Sequence, residues 1–418
     1  MKHRSRILIL LLAAALLLSA VGCSRGAVQA TEPAGQEFTA APAATGPETT
    51  PPAETEIPVS SEALPAETEA ETESPAPVET EAQPQTQTVE LMALGDNLIH
   101  ASLLEAALQP DGSYDFHSFY QYIAEEVAAA DIACIQQETI LIDDPGQYSG
   151  YPIFGSPLSV GEALIDTGFD VINHCSNHCY DKFTQGIRDS LAFWRQYPQI
   201  TVLGIHDSPE DAARIRVVEK NGIRIAMLSY TYGTNMGAPK QSWEIDFLER
   251  SKVASDIARA KADSDVALVF TPWGDEDAHK PNSYQREWAQ FIADQGAAAI
   301  IGCHTHSLQP LETLTAADGR QVPVFWSMGN FVSHMLENQN HLGGMARLTI
   351  CKDETGAFIA GSELVPTMSF GSEDSGKWEF YGMRLTDYTD ELAARHFVPH
   401  TSVEEMWDLY RRIVGEEP

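Results

Sequence analysis

Short apolar runs alternate with amphipathic stretches along the chain from Val89 onward. Runs of strand length predict β-strands with the sequences VELMALGD, ACIQQE, FDVINHC, TVLGI, IRIAMLSY, DVALVFTPWG, AAAIIGCH and VPVFWSMGN. Amphipathic stretches between several of them predict helices with the sequences FYQYIAEEVAAA, TQGIRDSLAFWRQY, ERSKVASDIARAKA and YQREWAQFIADQG. A last helix is predicted over residues 402–414, because Ser402 and Glu405 form a capping-box pattern before apolar residues at helical spacing. Strands alternating with helices indicate one large α/β domain.

The N-terminus has the pattern of an export signal. Lys2, Arg4 and Arg6 precede an apolar stretch over residues 7–18, which is too short to span a bilayer comfortably. The stretch ends in SAVGC, which resembles a bacterial lipobox and implies cleavage before Cys23 and acylation of its thiol. The alternative is an ordinary secretory signal peptide that is cut nearby. Both interpretations predict an exported protein, and the first predicts a lipid anchor at the cell surface.

Residues 24–88 are dominated by Glu, Thr, Pro and Ala, with PAETE twice and PVETE once. Such a composition cannot bury enough apolar surface to offset the entropy of ordering. We therefore predict a signal peptide over residues 1–23, a disordered tether over residues 24–88 and a folded domain over residues 89–418.

The charge of the chain excludes several classes of partner. The formal net charge is −34, and residues 91–418 carry −25 of it. A domain this acidic repels nucleic acid and anionic lipid surfaces. It would accept a polyanionic substrate only at a local positive centre, such as bound metal ions.

The cysteine pattern argues against a disulfide framework. Five cysteines remain besides Cys23, and an odd number cannot pair completely. Cys175 and Cys179 are close enough in sequence to form a bridge. The apolar neighbours of the others favour buried thiols, and Cys134 and Cys303 are better explained by packing than by metal ligation or redox chemistry.

Residues of metal-ligand type follow the predicted strands. In α/β folds, ligands gather beyond the carboxyl ends of strands. The residues found there are Asp96, Glu138, His174, Asn177, His178, Asp181, His304, His306 and Asn330. A single aspartate after a strand more often belongs to a turn or caps a helix. A purely structural explanation would, however, have to account for ligand-type residues at several strand ends at once. Oxygen and nitrogen ligands together suit Zn²⁺, Mn²⁺ or iron better than Ca²⁺.

Five separated motifs resemble, in order and spacing, those of the CapA family of capsule and poly-γ-glutamate synthesis proteins. They read ALGDNLIH, QQET, NHCSNHCYDKFTQGI, IIGCHTHSLQP and WSMGNFV, and the resemblance covers about Val89 to Ile350. The family is similar to calcineurin-like metallophosphoesterases. The resemblance implies a four-layer α/β/β/α sandwich with two divalent metal ions at one edge and metal-assisted hydrolysis.

The same resemblance assigns expected roles to individual residues. It implies metal ligation by Asp96, Glu138, Asn177, His304 and His306. It implies that His178 polarises the scissile group or protonates the leaving oxygen. Asp181, Asn330 and Trp273 match further signature positions of the family.

The chain departs from the family pattern at two expected imidazoles. Leu98 and Pro272 stand where metallophosphoesterases usually have histidine, and Gln136 replaces a common asparagine. Residues that could fill the vacancies are His100, His174, Asp275, Glu276 and His279. Residues like the last four are more often solvent-facing loop residues.

Two functions therefore remain open at the level of sequence. One is an enzyme that acts on an envelope polymer or its phosphorylated precursor. The other is a non-enzymatic polymer-binding, assembly or export factor. Both are compatible with a membrane anchor and with capsule-synthesis membrane proteins as partners. The loop over residues 149–157 and the rings of Tyr230 and Tyr232 are candidates for the wall of the site.

Overall fold

A computed structural model of the chain describes residues 86–415. The predicted signal peptide, Cys23 and all but the last residues of the predicted tether lie outside this range. None of the described helices is long and apolar enough to cross a membrane.

The described residues contain two β-sheets with helices around them. The strands are β1 (Gln87–Asn97), β2 (Ile132–Gln137), β3 (Val171–Asn173), β4 (Thr201–Leu203), β5 (Arg216–Lys220), β6 (Ile223–Ser229), β7 (Val266–Pro272), β8 (Ala299–Cys303), β9 (Leu311–Thr315), β10 (Gln321–Phe325), β11 (Asn330–Val332), β12 (Leu342–Asp353), β13 (Gly356–Asp374) and β14 (Lys377–Arg384). The α-helices are α1 (Ala101–Ala107), α2 (Ala124–Ala129), α3 (Leu158–Thr167), α4 (Phe183–Trp194), α5 (Pro209–Ala212), α6 (Arg250–Asp263), α7 (Ser283–Gln295), α8 (Asp390–Ala393) and α9 (Val403–Val414).

The first sheet has the strand order β14-β13-β12-β1-β2-β3-β4, and β11 also pairs with β1. Strands β1 to β4 are parallel, whereas β12, β13 and β14 join as antiparallel neighbours. The second sheet has the order β5-β6-β7-β8-β10-β9, with parallel pairing from β6 through β10. Parallel neighbours need crossover connections. Helices supply them along most of both sheets, whereas β9 lies in the connection between β8 and β10.

Alternating side chains build three apolar layers. On β1, Leu91 and Ala93 pack in the layer between the sheets, together with Met227 and Leu268 of the second sheet. Met92 packs on the other side with the helices of the first sheet. A third layer joins the second sheet to its own helices, α6 and α7. The predicted four-layer α/β/β/α sandwich is confirmed.

Two predicted elements are broken in the structure. The run VPVFWSMGN forms β10 in the second sheet and then β11 in the first, with Gly329 at a φ of +60° between them. The run FYQYIAEEVAAA is a 3₁₀ turn over His117–Tyr120 followed by α2. The turn is anchored at the sheet edge, where the Asn97 side chain donates to Tyr120 Oη at 2.9 Å.

The predicted C-terminal helix is confirmed as α9. Ser402 and Glu405 form the capping box, with each side chain accepting from the other residue's backbone N–H. One face of α9 packs against the layer between the sheets, where Met406 is fully buried.

Candidate metal centre

Three ligand-type residues meet where strands of both sheets end. Asp96 is the penultimate residue of β1, Glu138 directly follows β2, and His306 lies in the turn after β8. Their ligand atoms all lie within 4.8 Å of one another, and all three side chains are buried. We call this group the Asp96–Glu138–His306 cluster.

The turn that carries His304 and His306 is held by Asp96. His304 and His306 have φ values of +90° and +55°, a left-handed conformation that is uncommon for residues other than glycine. The His304 N–H donates to Asp96 Oδ2 at 3.1 Å, and His306 Nδ1 lies 3.5 Å from the same oxygen. Nδ1 of His306 is also 3.0 Å from Asn330 Oδ1. Backbone strain at this turn is therefore offset by contacts within the cluster itself.

The electrostatics of the cluster favour a bound positive charge. Burial and the nearby Asp96 carboxylate raise the pKa of Glu138 to about 7. Burial opposes the charge on His306, but Glu138 and Asp96 outweigh it and raise the pKa of His306 to about 10. Burial and the charge of His306 lower the pKa of His304 to about 3, so this ring is a neutral imidazole with a lone pair. In the absence of another cation, a proton on His306 compensates the carboxylates.

Several buried ligand atoms lack a hydrogen-bond partner among the described residues. They are Asp96 Oδ1, both carboxylate oxygens of Glu138, Asn177 Oδ1 and His304 Nδ1. Buried polar atoms in folded proteins are nearly always paired, so a group of unpaired acceptors at one sheet edge needs an explanation. Carboxylate, amide oxygen and imidazole form a donor set that fits a divalent transition metal ion. The residues therefore fit the metal site that the sequence predicts.

His178 stands beside this cluster with one ring nitrogen already engaged. Its Nδ1 lies 2.7 Å from Asp181 Oδ2, an oxygen that also accepts from the Phe154 N–H at 2.7 Å. The ring meets the edge of Phe154 at a centroid distance of 4.7 Å. Burial lowers the pKa of His178, but the Asp181 hydrogen bond and the charge of Glu138 outweigh it and raise the pKa above its ordinary value. Asp181 thus has a positioning role that its sequence position did not specify, and it fastens the 149–157 loop to the site.

Two of the possible replacement ligands lie near the cluster. The ring of His100 is within electrostatic reach of His306 and His178, and burial together with His306 lowers its pKa to about 3. Its Nδ1 lies 3.2 Å from the His334 backbone N–H. Glu276 is exposed. Its charge also raises the pKa of Glu138, but less than burial and the Asp96 carboxylate do.

Three other candidates are occupied elsewhere. His174 Nε2 accepts from the Trp194 indole at 2.9 Å, so this imidazole belongs to the helix-packed side of the first sheet. The Trp273 indole donates to the Trp326 carbonyl at 2.9 Å and is fully buried. His279 Nδ1 lies 3.0 Å from the Leu308 carbonyl. These contacts give all three residues structural roles.

The two departures from the family pattern are built into the sheet edge. Leu98 is buried, and its N–H donates to the Val332 carbonyl at 2.9 Å. Pro272 is the last residue of β7 and pairs with Cys303. Neither position offers a ligand atom to the cluster.

The cysteines near the site are buried thiols. Cys134, Cys175, Cys179 and Cys303 are all free and buried, so the possible bridge between Cys175 and Cys179 is not formed. Burial, followed by the charge of Asp96, raises the pKa of Cys303 well above its usual range. A protonated thiol is a poor metal ligand, which agrees with the packing role expected of it.

The segment after β6 contains the two tyrosines named as candidates from the sequence and one residue that was missed, Asn235. The expectation for Tyr230 is wrong, because this ring is fully buried and its hydroxyl contacts Asp256 at 3.2 Å. Tyr232 is 43% exposed, and its ring lies 4.7 Å from that of His304. Asn235 Nδ2 lies 3.2 Å from His178 Nε2. The Gly, Thr and Asn residues directly after the strand end indicate a loop, but not that this loop contacts His178.

Comparison with known proteins gives one family match and several relatives. The family model described as bacterial capsule synthesis protein PGA_cap matches residues 90–335. The chain is 30% identical over 200 residues to the PGA biosynthesis protein CapA of Bacillus subtilis, covering 47% of this chain and 51% of that protein. It is 29% identical over 177 residues to the capsule biosynthesis protein CapA of Bacillus anthracis, covering 41% of this chain and 42% of that protein. The chain thus spans about half the length of these relatives or less.

Among solved structures, the calcineurin-like phosphoesterase YfkN from Bacillus subtilis aligns over 68% of this chain and 91% of its own. The identity is 12% and the TM-score 0.39.

Proposed function

Because the chain belongs to the bacterial capsule synthesis protein family PGA_cap, we propose that it acts in the synthesis of a capsule or poly-γ-glutamate polymer by metal-assisted hydrolysis or transfer. The observation that carries the proposal is the Asp96–Glu138–His306 cluster, with unpaired buried ligand atoms where both sheets end. The substrate would be the envelope polymer or its phosphorylated precursor.

The residues that would hold metal are Asp96, Glu138 and His306, with Asn177 and His304 beside them. We propose two divalent ions of manganese, zinc or iron, because the donor set combines oxygen and nitrogen. When bound, such ions supply Lewis-acid stabilisation of the negative charge that develops on a phosphoryl or carbonyl oxygen.

His178 would provide the proton for the leaving group. Asp181 holds Nδ1, so Nε2 is the nitrogen free to face a substrate. In ester hydrolysis, a water oxygen bonds to phosphorus, the bond from phosphorus to the leaving oxygen breaks, and the Nε2 proton passes to that oxygen. The raised pKa of His178 keeps a larger fraction of the ring protonated near neutral pH, as a general acid requires.

We also propose that the protein is exported and held at the cell surface by a lipid on Cys23. The support is the order of the N-terminal sequence, in which basic residues, a short apolar stretch and SAVGC precede the Glu- and Pro-rich segment. This arrangement would place the domain close to capsule-synthesis membrane proteins without burying it in the bilayer.

The variant His178→Ala separates catalysis from metal binding. Loss of a general acid should lower kcat for bis(p-nitrophenyl) phosphate or for the polymer by about 10²-fold or more, while metal content stays unchanged. His117→Ala is the matched control, because His117 is an exposed histidine whose ring also contacts aspartate carboxylates. Unchanged turnover in His178→Ala would contradict the catalytic role of His178.

A second candidate function is a non-enzymatic assembly or export factor. The observation in its favour is the replacement of two expected imidazoles by Leu98 and Pro272. This function predicts that the metal-replete protein cleaves neither phosphoester nor polymer but still binds the polymer. Turnover that disappears in His178→Ala would exclude it.

A further inference from the structure

The turn over residues 174–178, with the sequence HCSNH, follows β3 and carries Asn177 and His178. Glu138 directly follows β2. Because β2 and β3 are parallel neighbours, their carboxyl ends lie side by side at one edge of the first sheet. Contacts between the 174–178 turn and the end of β2 therefore determine how Glu138 and His178 are placed relative to each other.

Ser176 joins these two segments through its side chain. Its hydroxyl donates to the Glu138 carbonyl at 2.7 Å and accepts from the His178 N–H at 3.1 Å. A serine hydroxyl has one proton to donate and lone pairs to accept with, so both hydrogen bonds can form at once. Ser176 is 1% exposed, so solvent is excluded from both. The hydroxyl thus connects the backbone of a proposed metal ligand with that of the proposed proton donor.

A second contact anchors the start of the same turn. The Gln136 side chain accepts from Asn173 Nδ2 at 2.5 Å and donates to the Cys175 carbonyl at 2.9 Å. Gln136 also pairs with Asn173 in the ladder between β2 and β3, so this contact fixes the turn where it leaves the sheet. Ser176 extends the connection beyond the sheet, to Glu138 and His178 themselves.

We propose that Ser176 is a positioning residue that holds Glu138 and His178 in the relative arrangement that the proposed reaction requires. Both of its hydrogen bonds are to backbone groups, so it acts through these two residues rather than on the substrate. Without the hydroxyl, a buried carbonyl and a buried N–H would lose their partner, which is costly enough to displace the turn. The proposal rests on the metal centre and on the role of His178 proposed above.

The expected consequence is weaker metal binding together with slower turnover. In Ser176→Ala, the affinity of the folded protein for Mn²⁺ and Zn²⁺ should fall about 10-fold or more, because groups that hold metal ligands in place contribute about 10- to 100-fold. At saturating metal, kcat for bis(p-nitrophenyl) phosphate should also fall about 10-fold or more, with KM changed less than about threefold. Calorimetric metal titration and steady-state kinetics measure the two effects.

Ser190→Ala is the matched control. Ser190 is also fully buried, and its hydroxyl accepts from the Leu141 N–H at 3.1 Å and donates to the Leu141 carbonyl at 3.0 Å. Leu141 supplies neither a metal ligand nor a proton donor. Both variants should therefore lower the midpoint of urea unfolding, whereas only Ser176→Ala should lose metal affinity and kcat. Metal affinity and kcat in Ser176→Ala equal to those in Ser190→Ala would overturn the proposal.

A further pair of variants isolates the hydroxyl. Ser176→Thr and Ser176→Val introduce side chains of nearly the same shape, and only threonine keeps the hydroxyl. Metal affinity and kcat should therefore be about 10-fold higher or more in Ser176→Thr than in Ser176→Val. Equal values in these two variants would likewise count against Ser176 as a positioning residue.

A last measurement depends on neither metal nor turnover. In the metal-free protein, the His178 amide should exchange slowly with solvent deuterium in wild type, Ser190→Ala and Ser176→Thr. It should exchange about 10-fold faster or more in Ser176→Val, because the amide has lost its acceptor. Equally slow exchange in Ser176→Thr and Ser176→Val would show that Ser176 does not hold His178. If the wild type binds no metal or cleaves no ester, the proposed function fails separately, and the exchange comparison alone decides the role of Ser176.

Discussion

Asp96 and Glu138 are each 1% exposed, and both have carboxylate oxygens without a hydrogen-bond partner among the described residues. Charges buried in this way are tolerated when a cation compensates them, whether a proton on His306 or a metal ion. The sequence could predict these two positions, because each follows an apolar run and the carboxyl ends of parallel strands meet at one edge. It could not predict that Asn235 approaches His178, because this contact depends on where a long loop lies after it leaves the second sheet.

His206 illustrates a residue that no motif identified. It is 3% exposed, lies 2.8 Å from Asp246 and 3.6 Å from Asp211, and faces Arg216 as well. Burial lowers its pKa, but the contact with the Asp211 carboxylate and the hydrogen bond with Asp246 outweigh burial and raise it. A histidine followed by Asp, Ser and Pro gives no signal for this, since the partners are distant in sequence.

We predict a pH-dependent stability contribution from His206. Because its folded pKa is raised above the unfolded value of about 6.5, the contribution is complete below about pH 6.5 and is lost as the pH rises through the folded value. His206→Gln should lower the free energy of unfolding by about 2 kcal/mol at pH 6, and by clearly less at pH 10. Urea unfolding at the two pH values measures the difference.

The control for this experiment is His117→Gln. His117 also lies between two aspartates, but its side chain is 51% exposed, and exposed pairs contribute less than about 1 kcal/mol. A cost for His206→Gln that is equal at pH 6 and pH 10 would show that the ring charge contributes nothing to folding.

At the scale of elements, the periodicity of apolar residues predicted helices and parallel strands, but it did not predict the antiparallel hairpins. Strands β12, β13 and β14 carry mixed polarity, and no strands were predicted there. The turn between β13 and β14 nevertheless has a sequence signal, the pair Ser375-Gly376. These residues have φ values of +54° and +79°, as a two-residue type I′ hairpin requires. Asn221 and Gly222 form the same turn between β5 and β6, with φ values of +50° and +79°.

Gly274 follows β7 and approaches the turn that carries His304 and His306, two of the proposed metal ligands. Its φ is +99°, and a Cβ there would lie 2.8 Å from the Thr305 side chain, between His304 and His306. Gly274→Ala should therefore displace this turn, lower the free energy of unfolding by about 2 kcal/mol or more and weaken metal binding. Unfolding curves and metal titration of the folded variant measure both effects.

Gly319→Ala provides the matched comparison for Gly274→Ala. Its φ is +88°, but nothing lies within 4 Å of the added Cβ, so only backbone strain of about 1 kcal/mol is expected. Equal costs for the two substitutions, with metal affinity unchanged in Gly274→Ala, would mean that Gly274 does not control the turn.

At the scale of the whole molecule, the candidate centre depends on the two sheets facing each other. β1 and β2 of the first sheet supply Asp96 and Glu138, and β8 of the second sheet leads into His304 and His306. Periodicity alone gave the α/β class, and the resemblance to a family gave the four layers. Neither could show that Leu98 and Pro272 leave no ligand at their positions or that His174 and Trp273 serve packing.

The net charge of −25 on residues 91–418 would give a metal ion at the proposed centre a further role. An acidic surface repels a polyanionic polymer, and metal ions at the sheet edge would provide the local positive charge that admits it. Metal binding would thus contribute both to substrate access and to the proposed chemistry.

The most direct test is the metal content of the purified protein, by elemental analysis, for wild type, His306→Ala and the control His117→Ala. We expect about two divalent ions per chain in wild type and in the control, and loss of metal in His306→Ala. No bound metal in wild type, or unchanged metal in His306→Ala, would contradict a metal centre built on Asp96, Glu138 and His306.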